Sequence, residues 1–294
     1  MESTLNKSRI VRDVLKFKYS HSRSVVFWLR STNMVSMIQL FLSTLDKYNQ
    51  SALLDNAEVL KKTPVNKRLL LRINPSLPTG KPFVAKVVNL HLLRLRLKYC
   101  WMKYYRYGFA ETANLIIAAN RGISVPKVYG YGRIYGPFGL IKKDVVILED
   151  LDHHISFSEL LEQNKESEEE CVNILSRSIP VFVSHYKAAC NNWDINPGCI
   201  MFNLRDLKQE PLVLDFEYVV FHKGPSLEVL MFLAANFAKG FSDWMDRGII
   251  DSWADELLDR VEVEDLDVRR KFMKRFDYYM SVGYMPHKER MRIR

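Results

Sequence analysis

The chain has little of what would reveal its chemistry at a glance. Its four cysteines, Cys100, Cys171, Cys190 and Cys199, are widely scattered, with no CxxC pair and no histidine cluster nearby. Such spacing argues against a zinc site or a disulfide framework and fits reduced thiols. The opening stretch, MESTLNKSRIVRDVLKFKYS, is charged and lacks the apolar centre of a secretory signal. No apolar run reaches the roughly 20 residues that a membrane span needs. The most apolar N-terminal region, SVVFWLRSTNMVSMIQLFLSTL, is interrupted by Arg30, Asn33 and Gln39. Internal repeats and low-complexity segments are missing as well. These absences lead to the expectation of a soluble, cytoplasmic protein, with peripheral contact at the inner face of a membrane left open.

What is present is an ordinary globular composition. Hydrophobic residues make up 48% and charged residues 26% of 294 residues, enough for one large domain or two lobes. The formal net charge of +9 points to a polyanionic neighbour, whether nucleic acid, an anionic membrane face or a phosphorylated substrate. It does not choose among them.

Along the chain, residues 24–48 place Val26, Leu29, Val35, Ile38 and Leu42 at helical spacing, so the first 60 residues are expected to form a helical extension. KRLLLRI and PFVAKVVNL, separated by the turn-rich NPSLPTGK, predict strand, turn and strand. A helix follows from Leu92 to Asn120, with Gly122 as its C-cap and Pro126 just beyond. KVYGYGRI and DVVILEDL predict a hairpin. After about residue 152 the patterns are mostly helical, in SFSELLEQ, EEECVNILSRSIPVFVSHYKAA, PSLEVLMFLAANFAKGFSDWM and the tail. Strand runs followed by helix runs predict α+β or two lobes, with strands and one helix over 61–150 and a mostly helical region with a basic tail over 151–294.

Three features carry chemistry. Lys86 interrupts the apolar FVAKVV, where a buried lysine needs a partner unless it snorkels from an edge strand. Glu111, at the start of the apolar half of the long helix, is the candidate partner. Then NNWDINPGCIMFN sets Asp194 in a Pro-Gly loop, and PLVLDFEYVVF reads as an apolar strand carrying Asp215. Taken singly, these are two ordinary turns and a surface glutamate. Taken in order, they are the parts of phosphoryl transfer, whose catalysis is mostly positioning and charge neutralisation. A loop aspartate can accept a proton from a substrate hydroxyl, and a strand-end aspartate can hold a divalent cation.

Over residues 68–240 the chain resembles the protein-kinase-like superfamily, and within it the lipopolysaccharide kinases that act on Kdo and heptose. FVAKVV resembles the kinase VAIK strand. RLRLKYCWMKYYRYGFAETANLIIAANRGISVPKVYGYG resembles that branch's basic and glutamate-bearing helices. VVILEDL resembles the interlobe hinge, WDINPGCIMF the catalytic loop and LVLDFEYV the metal-binding segment. The resemblance implies a two-lobed fold, with a small antiparallel-sheet lobe at 61–150 and a larger helical lobe at 151–294, and an ATP-dependent kinase using Mg²⁺ or Mn²⁺. It implies Lys86 as the phosphate-gripping lysine, Glu111 as its partner and Asp194 as the catalytic aspartate. Backbone groups near Glu149 and Leu151 would meet adenine, and Asp215 would hold the metal. The acceptor implied is a hydroxyl of an anionic glycan or glycolipid. Aminoglycoside- and choline-type kinases share the loop and the DFEY-like strand, so a small-molecule kinase of that type is an alternative that the resemblance leaves open.

The pattern also departs from that family. Cys199 stands where the loop ordinarily has a metal-binding asparagine, and a neutral thiol is a poor ligand for hard Mg²⁺. Asn192-Trp193 replace the usual His-Arg, His185 upstream reads as a helix residue, and Gly80 alone represents the glycine-rich loop. Glu217 replaces the glycine of DFG and is given no catalytic role. A pseudokinase scaffold on the same fold is therefore an open reading. A nucleic-acid binder, suggested by KYCWMKYYRYG, is disfavoured because that stretch has helical, packing-type spacing.

Overall fold

The computed structural model describes residues 4–22, 24–50, 54, 56–63, 68–74, 81–101, 108–283, 285, 287–290 and 293. Gly80 and the centre of KYCWMKYYRYG lie outside the described residues. Contacts divide the chain into two compact units. One comprises Glu2–Ile117 and Pro126–Leu151, the other Ala118–Val125 and Asp152–Arg294 together with Met1.

The first unit is built on a sheet. In chain order it contains α1 (Thr4–Val14), β1 (Phe17–Ser22), β2 (Val25–Leu29), α2 (Val35–Asn49), β3 (Ala57–Lys62), β4 (Arg68–Ile73), β5 (Phe83–Asn89), α3 (Leu93–Trp101), α4 (Gly108–Asn120), β6 (Val128–Tyr135) and β7 (Ile141–Glu149). The last turn of α4 belongs to the second unit. The seven strands run in the order β1-β2-β6-β7-β5-β4-β3, every neighbouring pair antiparallel.

The first 60 residues are thus not a helical extension. VVFWL is β-branched and aromatic, and as β2 it pairs with β1 on one side and β6 on the other, where such side chains pack well. The helix expected at 24–48 begins only at Val35, after the polar break Arg30–Asn33. Its apolar face, Ile38, Phe41, Leu42 and Leu45, covers one side of the sheet. There it meets Phe27, Leu29, Leu69, Leu71, Ile73, Phe83, Ala85, Val87, Val145 and Ile147. Successive strand residues face opposite sides, so Lys86, between Ala85 and Val87, points to the other face.

α4 occupies that other face. Its Phe109 ring lies edge-on to Tyr131 at 5.5 Å, and a Cβ on Gly108 would sit 3.1 Å from Asp144 and Val146. The helix ends as the sequence predicts: Gly122 takes φ +84, and the amides of Gly122 and Ile123 turn back to Ala119 and Ala118. A left-handed residue there costs least when it is glycine.

The second unit contains β8 (His154–Ser156), α5 (Phe157–Gln163), α6 (Glu168–Ser176), α7 (Ile179–Lys187), β9 (Cys190–Asn192), β10 (Ile200–Asn203), β11 (Leu212–Val213), β12 (Val219–Phe221), α8 (Leu227–Ala238), α9 (Arg247–Arg260), α10 (Leu266–Ser281) and α11 (His287–Arg290). It is mostly helical, as expected, but five short strands, β8 to β12, lie within its described residues. An aromatic cluster of Phe157, Phe182, Phe237, Phe241 and Trp253 fills its centre, with ring centroids 4.6–5.6 Å apart. α8 runs through this cluster almost wholly buried, and its end faces the loop that carries Asp194. No described helix is long and apolar enough to cross a membrane.

Candidate active site

In the sheet unit, Lys86 is on β5, a central strand flanked by β4 and β7, so the edge-strand explanation does not apply. Its ammonium donates to Glu111 Oε1 at 2.7 Å, with side-chain exposures of 14% for Lys86 and 4% for Glu111. Burial on this scale makes each charge depend on the other, because an unpaired ion in a low-dielectric interior is costly.

At the end of β7, Glu149 Oε1 accepts from the Lys127 amide at 2.6 Å, and the Glu149 amide donates to the Lys127 carbonyl at 3.0 Å. Next to it Asp150 accepts from Arg72 Nε at 2.9 Å. The carboxylates of this segment are thereby tied to neighbouring strands. Leu151 lies past the ladder, and its backbone makes no hydrogen bond with another described residue.

In the helical unit, the loop after β9 is shaped by Asn196. Its Oδ1 accepts from the Gly198 amide at 3.0 Å, and its Nδ2 donates to the Asp194 carbonyl at 2.8 Å. Pro197–Cys199 form one turn of 3₁₀ helix, whose Pro fixes the backbone for it. α8 braces this loop from behind. Asn236 Nδ2 reaches the Trp193 carbonyl at 3.4 Å, and Gly240 lies so close that a Cβ there would sit 2.5 Å from Pro197 Cγ.

The stretch expected as one apolar strand at 211–221 is in fact two, β11 and β12, with a break between them. The Leu214 amide binds the Cys199 carbonyl at 2.8 Å, and Asp215 then takes φ 57. That left-handed conformation is sparsely populated outside glycine, though asparagine and aspartate tolerate it best. The turn leaves Asp215 exposed while Phe216 beside it is fully buried.

Cys199 sits between the two aspartates. Its Sγ lies 3.9 Å from Asp215 Oδ2, 3.9 Å from the Asp194 carbonyl and 3.1 Å from Asn196 Nδ2. Burial, with the Asp215 carboxylate adding to it, pushes the thiol up to about 12, so it is neutral at physiological pH. A neutral thiol does not suit hard Mg²⁺, whereas Asp215 does. Mg²⁺ is commonly held by one or two carboxylates plus substrate phosphates. The donor set therefore fits one ion carried on a nucleotide and offers no good ligand for a second. Among the described residues no group of three or more His, Cys, Asp or Glu gathers to hold a metal by itself.

His185 lies in the last turn of α7, fully buried, with Nδ1 2.7 Å from the Val181 carbonyl and its ring 6.0 Å from that of Phe216. Burial lowers its pKa to about 4, which keeps it neutral and structural.

Sequence reasoning missed Arg290. Its Nη1 lies 3.1 Å from Asp194 Oδ1 and 3.3 Å from the Trp193 carbonyl, while Nε donates to the Met285 carbonyl at 2.6 Å. Asn191 Nδ2 reaches the carbonyls of Arg290 and Ile293 at 3.4 Å, so the end of the chain is anchored beside the loop. Within a run as basic as HKERMRIR, nothing marks which arginine folds back.

No family model matches the chain, and no curated protein sequence matches it. Among solved structures it is similar to one described as WaaP in complex with acyl carrier protein. The TM-score is 0.51 at 10% identity, covering 75% of this chain and 89% of that one. A likeness at that identity shows the fold: mixed α+β, of the two-lobed kinase-like kind.

Proposed function

We propose that the protein is an ATP-dependent kinase that phosphorylates a hydroxyl, on a sugar of lipopolysaccharide core or a related lipid-linked glycan. The observation that carries this reading is the Lys86–Glu111 pair, in which a half-buried lysine in the middle of a central strand meets a buried glutamate on the helix beside it. Such a pair contributes little stability for its cost, so a functional use explains it better than a structural one. In this reading Lys86 grips nucleotide phosphates and Glu111 holds its ammonium in place. Backbone groups near Glu149 and Leu151 meet the adenine. Asp215 binds the divalent cation, Mg²⁺ or Mn²⁺, whose role is to neutralise phosphate charge. Asp194 orients the acceptor hydroxyl and takes its proton. Basic flanks suit an anionic lipid surface, where each Lys or Arg contributes about 1 kcal/mol.

The neutral Cys199 favours a second reading, a pseudokinase that binds partners on the same fold. Thermal melting with ATP alone and with ATP plus Mg²⁺ or Mn²⁺ separates the two. An active metal–nucleotide site gains about 2.7 kcal/mol at a hundredfold excess over Kd, a shift of several degrees. The expected result is a metal-dependent rise that disappears in Asp215→Ala. A wild-type protein indifferent to every nucleotide and metal would leave the scaffold reading standing.

A further inference from the structure

Within the helical unit a cleft of about 330 Å³ opens beside the Asp194 loop, lined by Phe232, Asn236, Lys239, Tyr279, Val282 and Arg290 among others. Its wall is aromatic, with the Phe232 and Tyr279 rings edge-on at 5.5 Å. Asn236 and Arg290 line this cleft and also hold the Trp193 carbonyl, which ties it directly to the loop that carries Asp194.

The polar side of the cleft is cationic. Among the described residues Lys239 donates once, to the Val282 carbonyl at 2.6 Å, and no carboxylate forms an ion pair with it. An ammonium has three donors, so two remain for a ligand. Burial, with the nearby Arg290 charge adding to it, disfavours its protonated form. Arg290 is already paired with Asp194 at 3.1 Å, so the cation of this cleft with donors to spare is Lys239, and an anion beside it would offset the cost of its partial desolvation. The volume is at the small end of ligand pockets, roughly 300 to 1,000 Å³, which suits a sugar-sized group and not a long chain.

We propose that this cleft is an acceptor subsite, taking an anionic group, phosphate or carboxylate, carried on the sugar, with Lys239 gripping it and Arg290, already paired with Asp194, lining the side toward the loop. The inference rests on the kinase reading for the word acceptor, but the anion site stands on the cleft alone. The competing account makes Lys239 a purely structural cap at the end of α8 that also pins the tail through Val282.

The test is melting of the full chain without nucleotide. Glucose 6-phosphate, glucuronate, inorganic phosphate and neutral glucose are titrated at ionic strength matched with chloride. Wild type is compared with Lys239→Gln, with Lys239→Met, which keeps the packed stem, and with the exposed control Lys208→Gln. A saturable shift with an anionic sugar, absent with glucose, is expected. It should weaken at least tenfold in both Lys239 variants and persist in Lys208→Gln. The preference between glucose 6-phosphate and glucuronate then tells phosphate from carboxylate recognition. No shift beyond chloride in wild type, or an equal shift in the folded Lys239 variants, overturns the proposal. The MgATP response, recorded on the same samples, reports separately on the kinase reading: a protein that answers anionic sugar but not MgATP keeps the subsite and loses the kinase.

Discussion

Lys86 and Glu111 are joined across 25 residues by a strand and a helix, both regular and both buried, while Asp194 and Arg290 are joined across 96 residues by a loop and the end of the chain. The first pair has side-chain exposures of 14% and 4%; the second keeps 33% of the Asp194 side chain in solvent. The difference lies in what positions each charge. In the sheet unit, a strand ladder places Lys86 and a helix places Glu111, each through regular backbone hydrogen bonds. In the helical unit, the pair itself helps place the tail.

The largest effect expected from this contrast is in the sheet unit. Glu111→Leu leaves Lys86 buried without its carboxylate and should cost about 3–5 kcal/mol of unfolding free energy. Lys86→Met combined with Glu111→Leu should recover most of that loss, because it removes both charges and keeps the volume. Denaturant unfolding of the two singles and the double measures this cycle. A Glu111→Leu variant as stable as wild type would mean that Lys86 finds other solvation, and the contrast between the units would collapse.

The units should also respond oppositely to pH. His185, in the helical unit, has its pKa lowered by burial to about 4. Its ordinary value is about 6.5, so the unfolded chain takes up the proton first as pH falls, and stability drops between about pH 6.5 and 4. Asp144, in the sheet unit, is raised by burial to about 6 against the opposing pull of Arg133, 4.0 Å away. The unfolded chain then loses its proton first, so stability drops as pH rises from about 4 through 6. Each group is worth at most about 3 kcal/mol over its window. Over about pH 4–6 the two contributions oppose each other, so in unfolding measured from pH 4 to 8 His185→Phe should leave stability falling as pH rises through that window, and Asp144→Asn should leave it rising. Unchanged profiles would show that water reaches these side chains.

This split explains which parts of the molecule were legible in the sequence. FVAKVV and the helix carrying Glu111 are regular elements, and period-2 and period-3.6 patterns report their faces directly. The loop carrying Asp194 was legible through its turn chemistry, Asn-Pro-Gly, although not through its neighbours. VVFWL was misread as helix because its apolar residues match both periods, and only its pairing with β1 and β6 decides between them. The break at Asp215 was hidden inside an apolar run, since the left-handed turn is fixed by the Leu214–Cys199 hydrogen bond and not by a glycine. Arg290, Asn236 and Gly240 reach the Asp194 loop only through tertiary folding, and no local pattern encodes that.

Gly240 gives a sharper comparison of the two units. Adding a methyl there places it 2.5 Å from Cγ and 2.7 Å from Cδ of Pro197, a ring that cannot rotate away. Overpacking of this kind costs about 1–3 kcal/mol, and Gly240 lies past the C-cap of α8, where alanine brings no helix-interior gain to offset it. In the sheet unit a methyl on Gly136 would meet nothing closer than 3.6 Å, with φ −98. Gly136→Ala should therefore stay within about 0.5 kcal/mol of wild type. Thermal melting of both variants checks the difference. A neutral Gly240→Ala would mean that the Asp194 loop yields to α8 and is not braced by it.

The smaller of the two ion-pair couplings should be that of Asp194 and Arg290. Asp194 keeps a third of its side chain in solvent although Arg290 keeps only 13%, so their attraction is partly screened and should contribute about 1 kcal/mol. A double-mutant cycle of Asp194→Asn and Arg290→Gln should return a coupling of that size, falling as salt is raised, because solvent-exposed charges are screened by ions. The Lys86–Glu111 coupling, measured alongside, should be several times larger and nearly independent of salt. If the Asp194–Arg290 coupling instead reached about 3 kcal/mol and ignored salt, the tail would be as firmly built into its unit as β5 is into the sheet. The segment carrying Arg290 would then have to be counted as part of the loop's architecture, and Asp194 as a carboxylate held in place by it.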